Sequence, residues 1–192
     1  MLMLSQIQPH FLYNTLSVIA DLCHGAALET EAATIEFAEY LRGKLDSIKA
    51  EKPIAFAKEL QHAKTYLALE KRRFDERLKV QWDIRDTLFR TPALTLQPIG
   101  ENAVKYGVTK RIQGGTIWIS SWETEDSHVI SVRDNGVGFD GNTQSENGRS
   151  HIGIKNERDR LSTMSGGTLE IESIPGEGTT ATITIPKEEG GE

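Results

Sequence analysis

The sequence has little cysteine and no long hydrophobic run. Cys23 is the only cysteine among the 192 residues, so an internal disulfide bond is excluded. Cys23 falls in a helical apolar pattern, which favours a packing role over a nucleophilic one. No run of 18 apolar residues occurs, and the initial Met-Leu-Met-Leu lacks the charged flank and the length of a signal peptide. We therefore expect the chain as given to be soluble.

Positive charge is also limited. Lys and Arg number 22 against 28 Asp and Glu, for a net charge of −6, which excludes a broad basic surface for nucleic acid or anionic lipid. The length suffices for one large or two small domains. The helical pattern is already under way at Leu4 with no capping residue before it, which predicts a longer protein with a sensing region upstream.

The first 52 residues predict two amphipathic helices. Apolar residues recur at three- and four-residue steps over residues 4–22 and again over 29–47, and Gly25 between them favours a turn. One helical hairpin buries too little apolar surface, so we expect two hairpins to pair as a dimeric four-helix bundle. Lys52-Pro53 breaks the pattern and marks the predicted boundary between domains 1–52 and 53–192.

Residues 53–192 alternate between helical and strand patterns. Helices are predicted at 55–74, 95–106 and 152–164, and strands at 78–84, 115–122, 127–133, 168–173 and 179–185. This order predicts an α+β sandwich, a mixed sheet with helices on one face.

One histidine stands near the start of the first predicted helix, in Q-P-H-F-L-Y-N at residues 8–14. The neutral imidazole of His10 is a competent nucleophile near pH 7, because its ordinary pKa is about 6.5. A lone histidine is more often a helix-surface or core residue. The interpretation of His10 as a phosphate acceptor therefore depends on a nucleotide site elsewhere in the chain.

A candidate adenine site follows a β-rich run, in D-N-G-V-G-F at residues 134–139. A carboxylate at a strand end is a fixed acceptor, and Asp134 could bind the exocyclic amine of adenine. Gly136 and Gly138 would let the backbone come close to a flat ligand. An ordinary turn is the alternative, since Asp-Asn-Gly is common in turns.

A candidate magnesium and phosphate site lies in Q-P-I-G-E-N-A-V-K-Y-G at residues 97–107. The amide oxygen of Asn102 can ligate Mg²⁺, and Lys105, three residues on, falls on the same helical face and could meet a phosphate. The alternative is a solvent-facing polar pair with an extended lysine.

Two glycine-bearing segments complete the pattern. Residues 141–150 are polar and lack periodicity, and they precede I-G-I-K-N at 152–156, where a helix start could face phosphates. The segment 141–150 is therefore either a nucleotide lid or a linker. G-E-G-T-T at 176–180, which includes Thr179, is typical of a hairpin turn and is a second choice as a ligand contact.

Taken in this order, the motifs resemble those of the sensor histidine kinases of the LytS type over nearly the whole chain. Q-I-Q-P-H-F-L-Y-N resembles the phosphoacceptor box, E-N-A-V-K-Y-G the N box, D-N-G-V-G-F the G1 box and I-G-I-K-N-E-R-D-R-L the G2 region. The resemblance implies a dimerisation and phosphotransfer hairpin followed by a Bergerat-type ATP-binding domain.

The resemblance also implies roles for single residues. His10 would be autophosphorylated, Asn102 would hold Mg²⁺ and Asp134 would contact adenine. Three glycines would shape the pocket and the lid: Gly136, Gly138 and Gly153. The remaining residues expected at the nucleotide are Lys105, Tyr106, Ile152 and Thr179.

Partners follow from the same resemblance. The cofactors would be ATP and Mg²⁺, the chain would form a homodimer, and an aspartate of a response regulator would accept the phosphoryl group from His10. Asn14, one helical turn after His10, is a candidate for positioning a water that hydrolyses the phosphorylated regulator. The upstream region is expected to place the protein in a membrane, with this chain on the cytoplasmic side.

Two other functions stay open from the sequence. ATPases of the gyrase, chaperone and mismatch-repair kind carry a similar N box, but with a glutamate one helical turn before the asparagine to activate water. Pro98 occupies that position here, which favours transfer to histidine over hydrolysis. A non-catalytic dimeric scaffold that senses ATP is the other alternative. It is kept open because His151 replaces the first glycine of the lid motif and Phe11 stands where many histidine kinases carry an acid.

Overall fold

The computed structural model describes residues 9–23, 25, 27–140 and 149–187. Its helices are α1 (Pro9–Leu22), α2 (Ala27–Ile48), α3 (Phe56–Phe74), α4 (Leu96–Asn102) and α5 (Arg149–Ser165). Its strands are β1 (Ile54–Ala55), β2 (Leu78–Ile84), β3 (Arg90–Thr91), β4 (Gly115–Glu123), β5 (Ser127–Asp134), β6 (Thr168–Ile174) and β7 (Gly178–Pro186). The start of the first predicted helix, at 4–8, and residues 141–148 of the predicted lid lie outside the described residues.

The large sheet has the strand order β2-β4-β5-β7-β6. β2 and β4 run parallel and the other neighbours are antiparallel, so the predicted mixed sheet is confirmed. β5 is the central strand, and its last residue, Asp134, pairs with Ile117 of β4 and Thr179 of β7. The carboxylate predicted to bind adenine thus stands on the most enclosed strand of the sheet.

One face of this sheet is apolar and buried against the helices. The core joins strand residues to helix residues, including Ile117, Ile119, Ile130, Ile183, Leu60, Leu67, Leu96 and Leu161. Side chains on the other face are polar or amphipathic: the indole of Trp118 donates to Gln81, and Arg133 stacks on the Trp118 ring. Alternate residues of a strand face opposite sides, so the alternation in the sequence places the helices on one face, as predicted.

The helices α1 and α2 form the predicted hairpin, and they pack on α3 through aromatic rings. The ring centroid of Phe11 lies 4.5 Å from that of Tyr40 on α2 and 5.2 Å from that of Tyr66 on α3. The dimeric four-helix bundle stays a prediction. The packing role assigned to Cys23 is wrong, because α1 ends at Leu22 and the thiol lies in the following turn, exposed.

The start of α4 is capped by a residue from a different helix. Thr95, at the N-cap, makes no capping side-chain bond. The carboxylate of Glu59 on α3 instead accepts hydrogen bonds from the backbone N–H groups of Leu94, Leu96 and Gln97. Glu59 is fully buried, and its carboxylate oxygens satisfy amides that a helix start leaves without intrahelical partners. α3 therefore fixes where α4 begins.

Candidate functional site

The predicted helix at 95–106 changes its winding directly after Asn102. α4 ends at Asn102, and Ala103–Gly107 forms a π-helical turn followed by a 3₁₀ turn at Val108–Lys110. A π turn rotates less per residue than an α turn, because each hydrogen bond spans five residues. Residue i+4 then stays on the face of residue i, while residue i+3 falls away from it.

The first cavity, of about 280 Å³, lies between this helical segment and the buried face of the sheet. Its apolar walls come from helix and strand: Ile99, Ala103, Val132, Leu169, Ile171 and Ala181. Its polar lining includes four of the predicted site residues: Asn102, Tyr106, Asp134 and Thr179. A concave apolar site with a few convergent polar groups is the usual form of a small-molecule pocket.

Asp134 is the most enclosed polar group of this cavity, with 5% of its surface exposed. Burial raises its pKa, while hydrogen bonds from the backbone amides of Gly136 and Thr179 and the charge of Arg111 lower it. The Gly136 amide donates to Oδ1 at 2.7 Å. A carboxylate has about four lone-pair sites, so these two amides orient Asp134 and leave it capacity to accept from a ligand.

The two glycines after Asp134 fit where a side chain would not. A Cβ on Gly136 would meet the backbone of Gly107. Gly138 has a φ of 59°, and a Cβ there would meet the carbonyl oxygen of Ile174. Gly138 lines the cavity, whereas Gly136 supports it through Asp134. Close backbone approach is therefore the physical reason for this glycine pair.

Lys105 is not brought to the same cavity as Asn102. It lines a second cavity of about 320 Å³, bordered also by Phe11, Tyr66, Arg73 and Lys110. The π turn explains the difference, because it keeps the fourth residue after Asn102 on the cavity face and turns the third away. The ammonium of Lys105 lies 4.7 Å from the ring centroid of its neighbour Tyr106. The phosphate contact of Lys105 stays a prediction.

Two carboxylates of the first cavity were missed from the sequence. Glu101 and Glu157 both line it and are both buried. Burial raises the pKa of Glu157 to about 7, although the charge and the hydrogen bonds of Arg160 lower it. Arg160 donates to both Glu157 oxygens at 2.6 Å. Glutamates in polar helical sequences are usually solvent-facing, so no local signal marked these two.

The remaining predicted residues are described by backbone alone. His10 lies in the first turn of α1, and Ile152 and Gly153 lie in the first turns of α5, but their side-chain surroundings lie outside the described residues. Asn14 is on α1, one turn after His10, and is partly exposed.

The donor set at the cavity suits a cation that is held jointly with a ligand. Asn102 is exposed and lines the cavity, and its amide oxygen is a ligand type that Mg²⁺ accepts together with phosphates and waters. Within the described ranges, no group of three His, Cys, Asp or Glu side chains could hold a metal by itself. The residues therefore fit Mg²⁺ bound with a nucleotide rather than a preformed metal centre.

Comparison with protein families separates the chain into two matching parts. Residues 1–78 match the family described as histidine kinase, and residues 91–189 match the family of histidine kinase-, DNA gyrase B- and HSP90-like ATPases. The second family binds ATP. Of the helices in the described part of the chain, none has the length and apolar character to cross a membrane.

Individual relatives carry related names. The chain is 37% identical over 187 residues to the uncharacterized protein YwpD of Bacillus subtilis (strain 168), covering 94% of this chain and 67% of that protein. It is 35% identical to the sensor histidine kinase YesM of the same strain and 30% identical to the sensor protein LytS of Bacillus anthracis. These matches cover 95% and 98% of this chain, but only 32% and 34% of those two proteins. The chain thus spans about a third of their length.

Solved structures support the fold. The histidine kinase domain of the blue-light activated kinase EL346 from Erythrobacter litoralis matches 93% of this chain and 94% of that chain, with a TM-score of 0.53 and 17% identity. The catalytic domain of histidine kinase ThkA matches 71% of this chain and 95% of that chain, with a TM-score of 0.52 and 14% identity. The chain belongs to the histidine kinases and contains the ATP-binding region that this family shares with DNA gyrase B and HSP90.

Proposed function

We propose that this chain binds ATP in the first cavity, transfers its γ-phosphoryl group to His10 and passes that group to an aspartate of a response regulator. The observation that carries the proposal is the convergence of Asp134, Asn102 and apolar walls on one cavity. The helix that bears His10 packs against the same domain, within the same chain.

Recognition of adenine is assigned to Asp134. Its buried carboxylate accepts hydrogen bonds only, which suits the exocyclic amine of adenine and rejects the carbonyl that guanine carries in its place. Ile99, Val132 and Ala181 supply apolar surface for a flat ring. We expect adenine nucleotides to be preferred over guanine nucleotides.

Asn102 is proposed to hold Mg²⁺ together with the phosphates of ATP. When bound, the ion neutralises charge on the phosphoryl group. Asn102 stands at the end of α4, exposed to the cavity, so its amide can turn toward the phosphates. Residues 149–153, which open α5, are proposed to face the phosphates with their backbone amides.

Phosphoryl transfer requires an in-line acceptor more than covalent help from the protein. The imidazole nitrogen of His10 forms a bond to the γ-phosphorus, the bond to the β–γ bridging oxygen breaks, and ADP leaves. A carboxylate oxygen of the regulator aspartate then displaces the imidazole from the same phosphorus. Phe11 holds α1 against α2 and α3, and we propose that the hairpin moves relative to the cavity to bring His10 to the nucleotide, in the same chain or in a partner.

The dimer is proposed to form through the hairpin. Large apolar side chains remain exposed on both of its helices: Tyr13 at 73%, Leu16 at 52%, Leu28 at 82% and Ile35 at 53%. Pairing of two hairpins would cover them and complete a four-helix core. We also propose that Asn14 positions the water that hydrolyses the phosphorylated regulator.

The cytoplasmic position beneath a membrane sensor is part of the same proposal. It is supported by two relatives named as sensor proteins, of which this chain spans about a third. The signal would then reach the hairpin from a region that corresponds to the parts of those relatives outside the third that this chain matches.

The test is incubation with γ-labelled ATP and Mg²⁺, followed by acid and alkali treatment of the labelled protein. Label that is lost in acid, stable in alkali and missing from His10→Gln supports the proposal. Asp134→Asn should abolish both ATP binding and label, whereas Asp126→Asn, an exposed carboxylate on a turn, should retain both.

The alternatives give different results in the same experiment. ATP binding without label on the wild-type protein would indicate a scaffold that senses ATP. Steady phosphate release without label would indicate an ATPase clamp. The structure does not support the clamp, because the side chain of Pro98 cannot act as a base. The carboxylate of Glu101 already accepts hydrogen bonds from Lys44 and Gln97.

A further inference from the structure

A lysine of the hairpin is buried against a glutamate that lines the nucleotide cavity. Lys44, on α2, is 5% exposed, and its ammonium lies 3.0 Å from Oε1 of Glu101 on α4. The side-chain amide of Gln97 donates to the same oxygen at 2.7 Å. Because Glu101 directly precedes Asn102, this contact ties the hairpin to the residue proposed to hold Mg²⁺.

The charge of Lys44 also acts on Glu157, the other buried carboxylate of the nucleotide cavity. It favours the ionised form of Glu157 on α5, in addition to the paired Arg160. Glu101 and Glu157 both line the nucleotide cavity; Lys44 pairs directly with Glu101, and Arg160 pairs directly with Glu157. Without Lys44, the cavity wall would carry excess negative charge close to a polyanionic ligand.

The surroundings of Lys44 make this contact specific. Its charge is removed from water, and a buried charge is tolerated only when it is paired. The ring of Tyr40, one helical turn before Lys44, packs on the rings of Phe11 and Tyr66, so α2 is held at two successive turns. A shift of α2 by a turn would separate the ammonium of Lys44 from the carboxylate of Glu101.

We propose that Lys44 is a positioning residue for the nucleotide cavity: the docked hairpin places its ammonium beside Glu101 and thereby raises the affinity of the cavity for the triphosphate of ATP. This inference rests on the proposed function. Coupling between sites is reciprocal, so bound ATP also favours the docked hairpin. Nucleotide occupancy and the position of the acceptor helix are then linked through one ion pair.

The charge argument distinguishes ATP from adenosine. Lys44→Met should weaken binding of Mg²⁺-ATP by about tenfold, within the range of coupled sites. Adenosine lacks phosphates, so its affinity should fall much less. Lys44→Arg keeps the cation and should retain most of the preference for ATP. A lysine that only held the fold together would lower both affinities equally.

A second substitution tests the pairing. Glu101→Gln removes one negative charge from the cavity, so the double variant Lys44→Met with Glu101→Gln should recover much of the lost ATP affinity. Arg72→Met is the matched control, because Arg72 also pairs with a carboxylate between α3 and α2, but its partner Glu36 does not line the nucleotide cavity, whereas Glu101 does. It should leave both affinities unchanged.

Equilibrium binding of a fluorescent ATP analogue with Mg²⁺, and its displacement by adenosine, measures these effects on the full chain. Thermal unfolding of each variant shows that it is folded. The inference is overturned if folded Lys44→Met binds ATP as the wild type does, or if it loses ATP and adenosine affinity equally. Failure of the wild type to bind ATP would instead overturn the proposed function, and absence of label on His10 despite binding would overturn the kinase step alone.

Discussion

The two sides of the helical layer formed by α3 and α4 are held in different ways. Toward the sheet, contacts are apolar, with Ile117, Ile119, Ile130 and Leu161 all less than 2% exposed. Toward the hairpin, buried polar and charged groups stand among the aromatic rings: Lys44, Glu101, Gln97, Tyr66 and Glu70. One layer of helices therefore has an apolar contact on one side and a polar contact on the other.

The difference implies different behaviour of the two contacts. Apolar burial contributes about 1.5–3 kcal/mol for each large side chain and does not depend on direction. A buried ion pair contributes little net stability, because desolvation offsets the attraction, but it penalises any arrangement that separates the partners. We therefore expect the sheet and its helices to be stable by themselves, and the hairpin to dock in one orientation with a modest free energy.

The largest expected effect is in the sheet. Ile117→Ala on β4 should destabilise the whole chain by about 4 kcal/mol, because a fully buried residue on a central strand leaves a cavity that the neighbours cannot fill. Urea unfolding measures the loss. Ile112→Ala is the control, since Ile112 is 94% exposed and its truncation should cost no more than about 0.5 kcal/mol. Equal losses of stability in the two variants would contradict the expectation that apolar burial stabilises the sheet side.

A smaller and local effect is expected in the hairpin. Phe11→Ala removes the ring that packs on Tyr40 and Tyr66, at a cost of about 3 kcal/mol. We expect the low end of the usual range, because Phe11 also borders the second cavity and has fewer neighbours on that side. Amide hydrogen exchange of α1 should rise while adenosine affinity is kept. Tyr13→Ala, 73% exposed on the same helix, should change neither.

Loss of adenosine binding in Phe11→Ala would show that the hairpin is needed for the fold of the cavity itself. The hairpin and the ATP-binding part would then form one cooperative unit. The expected difference between a stable sheet side and a weakly docked hairpin would then be wrong.

The elements themselves could be predicted because their signals are local. β2 was predicted at its observed bounds, since alternating apolar residues report directly on a half-buried strand. Asp134 and its glycines were found for the same reason: a carboxylate at a strand end and a close backbone approach are encoded within six residues. The dimeric bundle was inferred from the small apolar surface that one hairpin buries, and the assignment of His10 as acceptor depended on the family resemblance as well as on imidazole chemistry.

The contacts that join the elements could not be predicted. Glu101 and Lys44 are 57 residues apart in sequence, and Glu59 caps a helix that begins 37 residues later. Neither pairing leaves a periodic signal, because each depends on how two helices are packed. The π turn after Asn102 likewise displaced Lys105 from the expected face, and no residue pattern in that segment indicated it.

The stability of the chain should also depend on pH through Glu157, which lines the first cavity. Burial raises the pKa of Glu157 to about 7 from 4.5; Arg160 and Lys44 lower it and Glu59 raises it further. A carboxyl whose pKa is higher in the folded state stabilises the fold below pH 4.5, and that contribution is lost as pH rises through 7. One pKa unit is about 1.4 kcal/mol, so a shift from 4.5 to about 7 corresponds to at most about 3.4 kcal/mol, and after relaxation of the site we expect roughly 2 kcal/mol.

Glu157→Gln removes this titration. The free energy of unfolding of the variant, relative to the wild type, should therefore rise between pH 5 and pH 8 by that amount, and urea unfolding at several pH values measures it. If plots of unfolding free energy against pH stay parallel for the two proteins over this range, the raised pKa of Glu157 is contradicted.

The smallest expected effect compares two ion pairs at the same hairpin. Arg72 pairs with Glu36 through two hydrogen bonds of 3.1 Å, with side chains about 30% exposed, whereas Lys44 and Glu101 are buried. Arg72→Met should cost about 0.5 kcal/mol, and this cost should vanish in 1 M salt because exposed charges are screened. The cost of Lys44→Met should persist in the same salt, since ions cannot enter its site. Equal salt sensitivity of the two variants, measured by thermal unfolding, would mean that water reaches Lys44 and that the hairpin is held no more specifically than any exposed surface pair would hold it.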